Sequence, residues 1–178
     1  AFRDFDLGIG PDLYKVAYGR AFNVSPETVD DDSTERQIGK VMELALAYCG
    51  GVAAFVSMAA TYKLDLNDLT EAAWDSIPPH IMAGSRSLYV RARQRNRIYG
   101  LSERTWLVCQ SLVTMWRDAH PEIVELWGKV ERAARMAIQN PKRIFPAGDH
   151  LSFERRGAWL REGATEGLHL RRRAGGGQ

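Results

Sequence analysis

Histidine and cysteine are scarce in this chain of 178 residues, with four of one and two of the other. His80, His120, His150 and His169 are scattered without metal-ligand spacing, and Cys49 and Cys109 belong to no paired-cysteine motif. The spacing therefore offers no zinc site, and we expect no metal ligands here. Both cysteines fall in helical patterns and read as buried free thiols of a reducing compartment. No signal peptide opens the sequence and no apolar run is long enough to span a bilayer. We expect a cytoplasmic protein with no membrane partner. No internal repeat is visible. The chain opens on "AFRDFD", with Ala rather than Met first, which reads as the interior of an element, so a fragment is expected.

What is present is an ordinary globular composition, 45% hydrophobic and 26% charged, with a net charge of only +2. The length suits one domain or a piece of a larger one. The basic residues are unevenly spread. Arg86, Arg91, Arg93, Arg95, Arg97 and Arg104 crowd one region, and Arg155, Arg156, Arg161 and Arg171 to Arg173 crowd the C-terminal part. Clustered arginine suits a polyanion, although a solvated face is the plainer reading.

Hydrophobic spacing predicts a mainly α chain. Residues 10–22 read as a helix with Pro11 and Asp12 at its start, and a loop around Pro26 follows. The next helix begins after Asp32, its expected cap, with Glu35 as reciprocal partner, and runs toward Gly50. "GVAAFVSMAATYK" reads as a second helix packed close by. A short third is capped by Asn67 or Asp68 and stopped at Pro78–Pro79. A basic helix then ends at Gly100. A helix capped by Ser102 places Trp106, Cys109, Val113 and Trp116 at core spacing, as Trp74 and Trp127 also are. His120–Pro121 breaks the chain, and Asn140–Pro141 stops the last helix. Residues 141–161 alternate around Gly148–Asp149 and read as a small C-terminal β-hairpin. Residues 162–178 read as a disordered basic tail.

The stretch "STERQIGKVMELALAYCGG" carries the chemistry. Steps of four residues keep Arg36, Lys40 and Leu44 on one helical face, with Tyr48 at its edge. Two cations so placed repel slightly unless something negative lies across them. A triphosphate would accept charge-assisted hydrogen bonds from both, and a terminal Tyr offers a ring on which a base can stack. By spacing alone, Arg-x-x-x-Lys is as a rule a wet surface, and Tyr beside an apolar run is as a rule core.

The array Arg36-x-x-x-Lys40-x-x-x-Leu44-x-x-x-Tyr48 resembles the fingers-helix motif of family A DNA polymerases, the DNA polymerase I type. "GPDLYKVAYGRAF" looks like the segment before that helix, and "WRDAHPEIVELW" like the stretch ending in a Tyr-Pro or His-Pro step. The likeness is to the bacteriophage and prophage branch, whose extra helical segment matches residues 64–104. It covers about residues 1–160. It implies a helical fingers region over 1–140, a partial palm in the hairpin, and a part in DNA replication as a nucleotidyltransferase.

The same resemblance implies residue roles. Arg36 and Lys40 bind the triphosphate of the incoming deoxynucleoside triphosphate, and Lys40 is catalytic, helping pyrophosphate leave. Tyr48 stacks against the template base of template-primer DNA or fills the insertion site. Leu44 stands where cellular enzymes carry Phe or Tyr against the sugar, so stacking there is lost. Tyr14 replaces a His that touches the phosphates; it can donate a hydrogen bond but cannot become cationic near neutral pH. Cys49 replaces a Gly, so the bend after the helix is expected to shift to Gly50.

The family's Mg2+ ions are held by carboxylates of an upstream strand and a downstream His-Asp-Glu triplet, and neither motif occurs here. The run Asp30–Asp32 reads as capping. Polymerisation would then need the palm and thumb as partners, and the likeness stops near Arg161, through truncation or a frame change. Two other readings stay open: a non-enzymatic DNA-binding module using Arg91, Arg93, Arg95 and Arg97 along its basic helix, and a nonfunctional remnant.

Overall fold

The computed structural model describes residue 10 and residues 12–164. The chain divides into two compact units, residues 1–120 and 121–178. It is mainly helical, with a small antiparallel sheet.

Among the described residues the first unit holds six α-helices: α1 (Leu13–Phe22), α2 (Thr34–Leu46), α3 (Val52–Thr61), α4 (Leu66–Ala73), α5 (Pro79–Gln94) and α6 (Glu103–Ala119). Helix α6 is the centre, and each of the other five packs on it. Its sequence explains why. Trp106, Leu107, Val108, Cys109, Leu112, Val113, Met115 and Trp116 are all buried, so apolar residues line nearly its whole circumference. Ser111 is also inside, and its hydroxyl shares a 2.9 Å hydrogen bond with Ser85 of α5, so neither buried group is left unsatisfied.

Capping residues set most helix starts, though not always the expected ones. Ser102 accepts from the Thr105 N–H, as expected. Helix α2 is capped by Ser33, which accepts from the Arg36 N–H at 3.2 Å, rather than by Asp32. Of the acidic run, Asp31 pairs with Lys15 at 2.9 Å, which lowers the Asp31 pKa. Helix α4 is capped two or three residues earlier than expected, by Asp65, whose carboxylate reaches both the Asn67 and the Asp68 N–H. Helix α5 ends at Gln94 rather than near Gly100, because Asn96 adopts a left-handed conformation and closes the helix there.

The second unit holds α7 (Pro121–Gln139), β1 (Ile144–Ala147), β2 (Leu151–Arg156) and β3 (Trp159–Ala164). The strands are antiparallel in the order β1-β2-β3, with Phe145 opposite Phe153 and Arg156 opposite Trp159. Gly148 and Gly157 turn the chain at positive φ. Ala133 and Ala137 of α7 pack on Ala147 and Phe153 of the sheet. Arg155 donates to the Ile138 carbonyl at 2.9 Å and so closes the free end of α7.

Two boundaries therefore differ from the sequence reading. Helix α7 groups with the sheet because its small-residue face covers it. The expected hairpin gains a third strand that takes in Glu162 to Ala164, because Gly157 allows a second tight turn. The rest of the basic tail lies outside the described residues, as do residues 1–9.

Candidate functional site

Helix α2 is amphipathic. Ile38, Val41, Met42, Ala45 and Leu46 are buried, and Arg36 and Lys40 lie on another face. Gly39 brings α1 unusually near, since a Cβ there would stand 2.0 Å from the Tyr14 carbonyl oxygen. That close approach lays the Tyr14 ring against both cations. The Arg36 guanidinium carbon is 5.5 Å and the Lys40 Nζ 5.9 Å from its centroid. The two charges thus share one side of the helix, as the four-residue spacing requires.

Their surroundings differ. Arg36 is engaged by its own chain: Nη2 lies 2.5 Å and Nε 2.7 Å from Oδ2 of Asp12. The other Asp12 oxygen caps α1 by accepting from the Tyr14 N–H at 2.6 Å. Lys40 has no carboxylate partner among the described residues. Its ammonium instead stands 4.2 Å from the Tyr62 ring centroid, at the end of α3, as well as near Tyr14. Such cation–π contacts hold a charge in place with its hydrogen-bonding capacity largely unspent.

Leu44 is half-buried on the next turn. Tyr48 lies beyond the helix, which ends at Leu46, and it is 86% exposed. The bend falls on Cys49 itself, at φ 63°, and Cys49 is exposed rather than buried. Gly50 does not take over the bend; it is needed for contact, because a Cβ there would meet the Ala45 carbonyl oxygen at 1.8 Å. Helix α6 pins this turn from below. Trp116 Nε1 donates to Glu43 at 3.0 Å and Arg117 Nη2 donates to the Gly50 carbonyl at 3.0 Å.

The sequence reading takes Asp12 only as the start of a helix, so its pairing with Arg36 escapes that reading, as do Tyr62, Glu43 and Arg117. Asp12 precedes Arg36 by 24 residues and Tyr62 follows Lys40 by 22. No local pattern announces such pairings.

The four arginines of the basic stretch do not form one surface. Arg91, Arg95 and Arg97 line a concave depression of about 250 Å³ together with Tyr99 and Trp106. Arg93 lies on another face, beside Tyr89, Val90 and Glu103. Among the described residues, no three or more His, Cys, Asp or Glu side chains gather as a metal site, and no helix is long and apolar enough to cross a membrane.

No family model and no solved structure matches the chain. A DNA polymerase of Bacillus phage SP02 is 30% identical over 132 residues. The match takes in 74% of this chain and 14% of that polymerase, so the chain spans only a small part of its relative's length. The likeness relates the chain to a DNA polymerase.

Proposed function

We propose that this chain is a fingers-region piece of a family A DNA polymerase of the phage branch, and that α2 meets the incoming deoxynucleoside triphosphate. One observation carries the reading: Arg36 and Lys40 lie on the same side of α2 around Tyr14, with Lys40 unmatched by any carboxylate among the described residues. Lys40 supplies a point charge to the phosphates, which gain most from it as negative charge develops on departing pyrophosphate. Arg36 joins only after its fork leaves Asp12, so nucleotide binding exchanges a carboxylate for a phosphate. The Tyr14 hydroxyl is a further donor. Leu44 offers the sugar an apolar contact, and exposed Tyr48 offers the template base a stacking face.

Nucleotidyl transfer in such enzymes uses two metal ions held by carboxylates. The described residues do not assemble that donor set. In this reading the chain contributes nucleotide binding, selection and the Lys40 charge on the departing pyrophosphate, and the palm that it would serve supplies the metal-binding carboxylates.

Titration with a fluorescent deoxynucleoside triphosphate tests the reading. Lys40→Ala and Arg36→Ala should each weaken binding about tenfold, the loss of a charge-assisted contact, with the helical spectrum retained. Unchanged affinity in both variants would reject it.

A second reading has its own support. Arg91, Arg95 and Arg97 form a cationic rim that suits DNA backbone. A DNA-binding module without enzymatic work would lose DNA when these arginines are neutralised, and would ignore the changes at Arg36 and Lys40.

A further inference from the structure

The depression at the end of α5 owes its shape to one local device. Arg91 and Arg95 are four residues apart and so share a face of the helix end. The chain then reverses. The Arg97 N–H donates to the Ala92 carbonyl at 2.8 Å and the Asn96 N–H to the Arg93 carbonyl at 3.1 Å, with Asn96 at φ 53°. This paired closure folds Arg97 back to the side of Arg91 and Arg95 and leaves Arg93 on the other. Trp106 Nε1 donates to the Arg97 carbonyl at 3.1 Å, which fixes the turn to α6.

Charge and apolar surface meet in that concavity. Arg91, Arg95 and Arg97 make no ion pair among the described residues, although six such pairs occur elsewhere in the described chain. The floor is apolar, with buried Trp106 and half-open Leu88, and Tyr99 stands at the edge 46% exposed. A double helix presents a convex rod with its bases inside, which a hollow does not read. An unpaired nucleotide presents what this hollow matches: a flat apolar base between phosphates. Aromatic faces beside cations are the usual means by which proteins hold single strands.

We propose that this depression is a site for one unpaired nucleotide of single-stranded DNA, with the base against Tyr99 and the apolar floor and the adjoining phosphates on Arg91, Arg95 and Arg97. The inference rests on reading the arginine end of α5 as a DNA-contacting surface, and it is independent of the triphosphate face on α2. It assigns Arg93 no part.

The test is binding of the intact chain to a fluorescein-labelled oligothymidylate of about a dozen nucleotides, long enough to cover one site. A duplex of the same length and an abasic strand with the same phosphates are the controls. The oligothymidylate should bind more tightly than either. Its affinity should fall with salt at a log–log slope of about −1.4, as neutralising the two phosphates that flank one nucleotide requires. Tyr99→Ala should weaken it about tenfold with the slope unchanged, and Tyr99→Phe should restore it. Arg91→Gln, Arg95→Gln and Arg97→Gln combined should flatten the slope, while Arg93→Gln alone should not. Equal binding of the abasic strand or duplex, or indifference to Tyr99→Ala with melting unchanged, overturns the nucleotide site and leaves a plain cationic surface. Indifference to the triple arginine change overturns the underlying reading of α5 as well.

Discussion

Asp12 and Arg36 form an ion pair in which both Nε and Nη2 of the guanidinium reach one carboxylate oxygen, at 2.7 and 2.5 Å. The second oxygen of Asp12 holds the first turn of α1. One carboxylate therefore performs two tasks: it starts the helix that carries Tyr14, and it occupies the cation that the proposed triphosphate would use.

Asp12→Asn separates these tasks. Asn caps a helix about as well as Asp, so α1 should remain. The charge attraction to Arg36 is lost, and a partly exposed pair of this kind is worth about 1 kcal/mol at most. Triphosphate should then bind up to about fivefold more tightly, because Arg36 no longer has to be released. A titration that shows no gain, with the circular dichroism unchanged, would mean that Arg36 takes no part in binding.

Gly39→Ala tests how the face is assembled. The new Cβ would lie 2.0 Å from the Tyr14 carbonyl oxygen, and backbone cannot swing aside as a side chain can. Alanine is the better helix former by about 1 kcal/mol, so propensity alone predicts stabilisation. The clash should win, with a net loss of about 1–3 kcal/mol in urea unfolding. Because α1 is pushed outward, Tyr14 should leave the two cations and nucleotide affinity should fall with it.

Much of this arrangement is legible in the sequence, and the rest is not for definite reasons. Four-residue spacing is a local property, so the shared face of Arg36 and Lys40 follows directly from helix geometry. The same rule separates Arg93 from Arg91 and Arg95, two steps around the helix, yet reading the arginines as a cluster by composition hid it. Arg97 rejoins the group only because Asn96 turns left-handed, which asparagine tolerates but does not dictate. The caps failed by one to three residues, at Ser33 for Asp32 and Asp65 for Asn67 or Asp68, since adjacent Ser, Asp and Asn compete for the same task. Tyr62 beside Lys40 is a tertiary contact, invisible to any window along the chain.

The bend after α2 gives a third prediction. Cys49 holds a left-handed conformation at φ 63°, which costs a residue with a Cβ about 1–2 kcal/mol. Cys49→Gly removes that cost but gives the unfolded chain more freedom. A net gain of about 0.5–1 kcal/mol should appear as a raised midpoint in urea unfolding. The same change at Gly50 reversed, Gly50→Ala, should be severely destabilising, because the Ala45 carbonyl fills the space.

The two thiols should differ sharply toward alkylating reagents, and the difference predicts a pH dependence. Cys49 is exposed, whereas burial within α6 pushes the Cys109 thiol from 9.0 up to about 12. The thiolate is the reactive form, so the folded chain should take one equivalent of iodoacetamide at pH 8, at Cys49, and a second only on unfolding. Cys49→Gly should therefore leave the native protein unlabelled. For stability, the raised value means that Cys109 favours the folded state fully below pH 9. Between pH 9 and about 12 the unfolded chain releases a proton that the native chain keeps, so this contribution declines as pH rises. Cys109→Ala should flatten that decline in urea unfolding measured from pH 8 to 11. An equally steep decline in the variant would assign it to other groups.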